Sequence, residues 1–184
     1  MKKFLIFSAV GAVLITGLVI TVQFIRYKRT KSFSPEEQVN FRAGELAVSV
    51  AYNRPYKKGR EIFGALVPYG KVWRTGANEA TVFETNKTLT IEGKKLPPGK
   101  YSLWTIPDSV SWTIIFNSVH GQWGVNSKME PNRDPAFDVL SIPARAVQQD
   151  RPFEQFTIQF EDTGDEAEMV LLWDKTLVTI PFSY

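Results

Sequence analysis

The chain has no cysteine, one histidine and three methionines among its 184 residues. Without cysteine there is no disulfide, no thiol nucleophile and no thiolate metal site. A lone histidine, His120, cannot build a histidine-based metal centre. A triad around it would need a nucleophile and an orienting acid converging from elsewhere, and neither Ser102 nor Ser118 lies in a nucleophile-elbow motif. Phosphate-cradling glycine loops and zinc motifs are also missing. There is no repeat at a solenoid period and no low-complexity tract. Nor does the body of the chain carry an excess of basic charge. Six of the 22 Lys/Arg lie in residues 1–31, which contain no acid, so residues 32–184 hold 16 basic and 19 acidic residues, a net of −3. The pI of about 9.1 therefore belongs to the N-terminus. No basic stripe is left for a nucleic-acid partner, and no cofactor or metal is expected.

One long apolar run is present. Phe4 to Ile25 are 22 consecutive uncharged residues. As a helix they would reach about 33 Å, enough to cross a hydrocarbon core of about 30 Å. Lys2 and Lys3 precede the run, and Arg26, Lys28, Arg29 and Lys31 follow it. A removable signal peptide would have a shorter apolar stretch and small residues after it. Here a basic cluster follows directly, which favours an uncleaved anchor in the lipid bilayer. The division expected is a basic flank over 1–3, a transmembrane anchor over 4–25, a polar juxtamembrane stalk over 26–38 and a folded domain over 39–184. Two Lys before the span against four Lys/Arg after it argue for a cytoplasmic domain. Likeness of the first 25 residues to a bacterial signal anchor argues for an exported one, and the exported side is the expectation adopted.

Beyond residue 39 the pattern is short and alternating. In "ELAVSVAY" Leu46, Val48, Val50 and Tyr52 share one face, and in "QFTIQFED" Phe156, Ile158 and Phe160 do the same. Further strands are predicted at 81–85, 88–93, 99–106, 111–117, 137–145, 168–174 and 177–182. "EGKK" and "LPPGKY" read as turns, as does Asp174-Lys175, while "GREIFGALV" (59–67) has room for a helical turn or two. About eight or nine strands in about 145 residues predict an all-β antiparallel β-sandwich of jelly-roll or immunoglobulin-like type behind a single transmembrane helix.

"GREIFGALVPYGKVWRTGANEAT" (59–81), "GKKLPPGKYSLWTIP" (93–107), "WTIIFN" (112–117) and "QWG" (122–124) resemble the signature of the domain of unknown function 2911 family, found largely in bacteria of the Bacteroidetes group and often behind an export signal. The likeness runs from about residue 39 to 184. It implies the fold class and an export tendency, and it implies no reaction.

The candidate site is "YGKVWRTGANEAT" (69–81). Arg74 offers five donors in a rigid fork and keeps its charge, which suits carboxylate or phosphate recognition. Asn78 adds a donor and an acceptor, Glu79 an acceptor or base, and Trp73 a ring face. Tyr101, Trp104 and Trp123 are the aromatics placed to join Trp73 if the Pro–Gly hairpin and the His120 loop share one end of the sandwich. Three readings stand side by side. One is a binding face for a glycan or peptide framed by Trp73, Arg74, Asn78, Glu79, Tyr101, Trp104, His120 and Trp123. Another is a hydrolase using Glu79 or His120 as acid/base. The last is a structural module in which Arg74 and Glu79 clasp the turn onto the sheet. The acidic hairpin 161–168 reads as a solvated loop rather than a calcium site.

Overall fold

The structure is a computed structural model. It describes residues 2–164 and 166–184, with the side chains of residues 2–10 outside the description. The chain divides into Met1–Phe33 and Ser34–Tyr184.

The first unit is one helix, α1 (Lys2–Ser32). Residues Gly11–Ser32 are long and apolar enough to cross a membrane. The helix runs seven residues beyond the predicted end of the span. The residues after Ile25 still favour helix, because Arg29 and Lys31 in the last turn complement the negative end of the helix dipole. Lys28 sits 4.9 Å from the Phe24 ring and Lys31 5.6 Å from the Tyr27 ring, each one turn away. The stretch read as a stalk is thus helical through Ser32.

The second unit is antiparallel all-β. Its main sheet contains β1 (Glu36–Ala43), β2 (Leu46–Asn53), β3 (Val82–Thr85), β6 (Gly99–Ile106), β7 (Ser111–Asn117), β8 (Asp138–Asp162) and β9 (Ala167–Phe182), paired in that order. A small hairpin of β4 (Leu89–Ile91) and β5 (Lys94–Leu96) turns at Glu92 and Gly93, both with φ near +50° to +70°, the backbone a tight two-residue hairpin requires. Thr90 ties this hairpin to Ser183, just after β9.

Period-two alternation explains β2, in which Leu46, Val48, Val50 and Tyr52 are buried between half-buried small residues. β1 escaped the sequence reading because its pattern is weak. Only Val39 and Phe41 pack against the core in an otherwise polar edge strand, and Glu36–Gln38 belong to it rather than to a stalk. Residues 59–67 form turns and no helix. The segments predicted at 137–145 and 155–162 are one strand, β8, interrupted by register shifts between Gln148 and Thr157. Asp174-Lys175 is likewise no hairpin turn. β9 runs through it, with Asp174 at φ +51°, opposite the shift in β8.

Those irregularities curl the sheet. The first part of β8 pairs with β7 and the second part with β9. The chain after β2 then meets β8 from the other side. Tyr56 bridges Gln155, the Lys57 N–H donates to the Glu154 carbonyl and the Phe156 N–H to the Pro55 carbonyl. Arg54 donates to the Phe156 carbonyl and the Thr157 hydroxyl and pairs with Glu37. The Tyr52 hydroxyl accepts from the Ile158 N–H at 2.8 Å. One curled sheet thereby supplies both layers around a single core that includes Val50, Phe83, Leu103, Trp112, Phe116, Phe156, Trp173 and Ile180. A smaller cluster of Ala80, Trp104 and Ile115 lies on the opposite face of β6 and β7.

Candidate functional site

Residues 72–81 explain that second cluster. Trp73 pairs with Thr105 as a strand would, its N–H 2.7 Å from the Thr105 carbonyl and the return bond at 2.9 Å. At Thr81 the chain is back against β6, where the Leu103 N–H donates to the Thr81 carbonyl. Between them Arg74–Ala80 leave the sheet as a compact loop. Thr81 closes it, donating its N–H to the Arg74 carbonyl at 3.2 Å and its hydroxyl to the Thr75 carbonyl at 2.6 Å. Thr75 and Asn78 both have left-handed backbone, at φ +54° and +57°. For β-branched Thr75 that conformation is strained by about 1–3 kcal/mol. Full burial and a 3.2 Å bond to the Thr105 hydroxyl hold it there.

Asn53, at the end of β2 and 3 % exposed, is the hub of the loop. Its Nδ2 donates to Glu79 Oε2 at 3.0 Å, its Oδ1 accepts from Asn78 Nδ2 at 3.2 Å, and its carbonyl accepts from the Ala77 N–H at 3.3 Å. Asn78 Nδ2 also reaches the Ser34 carbonyl at 3.4 Å. The sequence reading passed over Asn53. Its one signal was an amide closing an apolar alternation just before a Pro-containing segment.

Strand alternation sends Trp73 and Arg74 to opposite sides. Arg74 lies half-buried beneath the 118–124 loop, across Gly124. Gly124 has φ +92°, and a Cβ there would overlap the Arg74 side chain. Burial pushes the Arg74 guanidinium below its ordinary pKa, and the Glu79 carboxylate pushes it back up. Among the described residues, the buried Arg74 Nε has no hydrogen-bond partner.

The covering loop is fixed from below. The Ala80 N–H donates to the Gln122 carbonyl at 3.0 Å. Ser102 donates to the Val119 carbonyl at 2.6 Å and accepts from Trp104 Nε1 at 2.7 Å. Gln122 Nε2 reaches the same hydroxyl at 3.4 Å and the Val119 carbonyl at 3.2 Å. Its Oε1 is buried with no partner among the described residues. Trp104 is therefore the fully buried floor, Trp123 is 38 % exposed at the rim and His120 is exposed on the loop. Tyr101 points into the main core and donates to the Pro97 carbonyl at 2.8 Å. The loops thus set Arg74 against Gly124, and Gln122 against Ala80 and the Ser102–Trp104 pair, while Asn78 and Glu79 turn to Asn53 and Trp73 and Tyr101 face the interior. Among the described residues no group of three or more His, Asp or Glu could hold a metal ion, and Asp165 of the acidic hairpin lies outside them.

Trp73 enters a different environment. Its ring stacks on Trp173 at 5.9 Å and meets Trp112 and Phe156 edge to face at 6.2 and 5.1 Å. Phe63 fits among them, 4.8 Å from Trp112 and 6.0 Å from both Trp73 and Trp173. Trp73 Nε1 is satisfied by the Gly76 carbonyl at 2.9 Å. Trp112 Nε1 and Trp173 Nε1 are buried with no partner among the described residues. A buried donor left so costs about 1–3 kcal/mol.

These features define an antiparallel all-β domain behind one apolar helix, with a strained polar loop laid on the outside of its sheet. Residues 34–182 match the family described as protein of unknown function (DUF2911), and the chain belongs to that family. Neither a curated protein nor a solved structure matches the chain.

Proposed function

We propose that this is a membrane-tethered binding module, its β domain on the exported side, whose site is the layer formed by residues 72–81 and 118–124. The observation that carries this reading is a pair of buried polar atoms without partners among the described residues, on two touching segments: the donor Arg74 Nε and the acceptor Gln122 Oε1. A ligand offering an acceptor and a donor together satisfies both, which is the chemistry of a peptide or of a glycan rich in hydroxyls. The strained backbone at Thr75 and the rim ring of Trp123 suit such a site. The helix α1 supplies the tether, and its length and composition support that role.

The clasp reading has its own support in the Asn53 hub, which ties Asn78 and Glu79 to β2. One experiment separates the two. The full chain in detergent is heated with trialanine or with a β-linked N-acetylglucosamine trisaccharide. Binding predicts a raised melting temperature in wild type, lost in Arg74→Ala while that variant still melts cooperatively. A clasp predicts no shift with either probe and a loss of about 1–3 kcal/mol in Arg74→Ala, because Glu79 would lose its cation. Protease added to spheroplasts tests the periplasmic, exported side by removing the β domain.

A further inference from the structure

Of the five tryptophans four are buried or half-buried, and their indole N–H groups are not treated alike. Trp104 and Trp73 each donate to an oxygen, at 2.7 and 2.9 Å. Trp112 and Trp173, each 2 % exposed, donate to none among the described residues. The two unpaired donors are not scattered. Both rings contact Phe63, which comes from the segment 58–69.

That segment is built differently from the loop at 74–81. It is anchored at its ends, by Lys57 and Lys58 on Glu154 and by the Gly70 N–H on the Pro107 carbonyl. Between these anchors, among the described residues, its hydrogen bonds close on itself or on Tyr56 and Lys57. Ile62, Phe63 and Val67 hold its middle by apolar burial alone. Left-handed backbone at Lys58, Gly59 and Gly70 turns the chain sharply at both ends. Opening the segment therefore exchanges apolar contacts and breaks no sheet bond.

We propose that residues 58–69 are a flap over a second binding site, lined by Trp73, Trp112, Phe156 and Trp173, for a monocyclic aromatic molecule bearing a hydrogen-bond acceptor oxygen, and that Phe63 is the plug the ligand displaces. The ring specificity follows from the plug. Phe63 makes edge-to-face contacts with three tryptophans, and a ligand ring in its place inherits them. The oxygen follows from the two indole donors, which a purely hydrocarbon ligand leaves as they are. Arg74 and the 118–124 loop take no part, and the Trp73 ring, which stacks on Trp173, faces away from them, so this site stands or falls separately from the one proposed above.

The test uses the full chain in detergent, labelled with ¹⁵N, and two probes of the same shape: acetophenone, and α-methylstyrene, in which a methylene replaces the carbonyl oxygen. Trp112→Phe and Trp173→Phe assign the indole resonances. Acetophenone is expected to move the Trp112 or Trp173 indole N–H downfield in wild type while that of Trp104 stays in place. α-Methylstyrene should bind about ten-fold more weakly or worse. Phe63→Ala, or Phe63→Leu if the former does not fold, should bind acetophenone more tightly. The proposal is overturned if neither indole responds in wild type at saturating acetophenone, if the two probes bind equally, or if binding occurs only in the Phe63 variants, which would mark an engineered cavity.

Discussion

Replacing Gly124 by alanine probes the geometry around Arg74 most directly. At φ +92° an L-residue is strained by about 1–2 kcal/mol. The new methyl would overlap the Arg74 side chain, standing 3.0 Å from its Cβ and 3.3 Å from the Ala80 nitrogen. The Arg74 stem can move, whereas its Cβ and the Ala80 backbone are fixed by the loop closure. Overpacking of this kind costs about 1–3 kcal/mol. The two effects together predict a loss of about 2–5 kcal/mol. In a domain of about 150 residues that lowers the melting temperature by about 5–15 °C. The assay is urea denaturation of the full chain for wild type, Gly124→Ala, Arg74→Ala and the double variant. If the methyl meets Arg74, truncating the arginine to alanine relieves the clash with its stem and leaves the contacts with Cβ and the Ala80 nitrogen and the backbone part. The cycle should then show a favourable coupling of about 0.5–2 kcal/mol. Two results would refute the reasoning: a single variant within about 0.5 kcal/mol of wild type, or effects that add with no coupling. Either would mean that the 118–124 loop does not lie across the Arg74 stem.

Asn53→Ala should cost about 2–4 kcal/mol, read from the urea midpoint, because it removes the partner of both the Glu79 carboxylate and the Asn78 amide. Tyr52 should give the domain an alkaline limit. Burial raises its pKa above the usual 10.0, with Glu37 adding to the shift and the Ile158 backbone and Arg54 opposing it. The neutral phenol is then favoured in the folded state, so stability is full below about pH 10 and falls as the pH climbs through the folded value. Tyr52→Phe should cost about 1–2 kcal/mol at neutral pH by leaving the Ile158 N–H without its acceptor, and should flatten part of the alkaline fall. Urea midpoints between pH 7 and pH 11 check both statements.

Much of the strand list was legible because strands announce themselves locally. The predicted segments at 99–106 and 111–117 coincide with β6 and β7. Where the local signal is weak, the reading failed. β1 is an edge strand with few apolar residues, and the bends in β8 and β9 look like ends of strands when neighbours are not known. The polar character of 73–81 was legible, and its internal arrangement was not. Trp73 and Arg74 part company only because Trp73 is paired with Thr105, 32 positions away. Asn53 gains its meaning from Asn78 and Glu79, which reach it across 25 and 26 positions.

An apolar run of spanning length and a period of two are properties of neighbouring residues, so the sequence alone determined the N-terminal helix and the all-β character of the rest. The curl of the sheet rests on contacts such as that of Tyr52 with Ile158, 106 positions apart, and on bulges whose partners lie in another strand. Arg74 Nε, Gln122 Oε1, Trp112 Nε1 and Trp173 Nε1, unpaired among the described residues, are likewise defined by what surrounds them after folding. Which polar atoms end up buried without a partner is decided by distant segments packing together, and only the tertiary structure decided it.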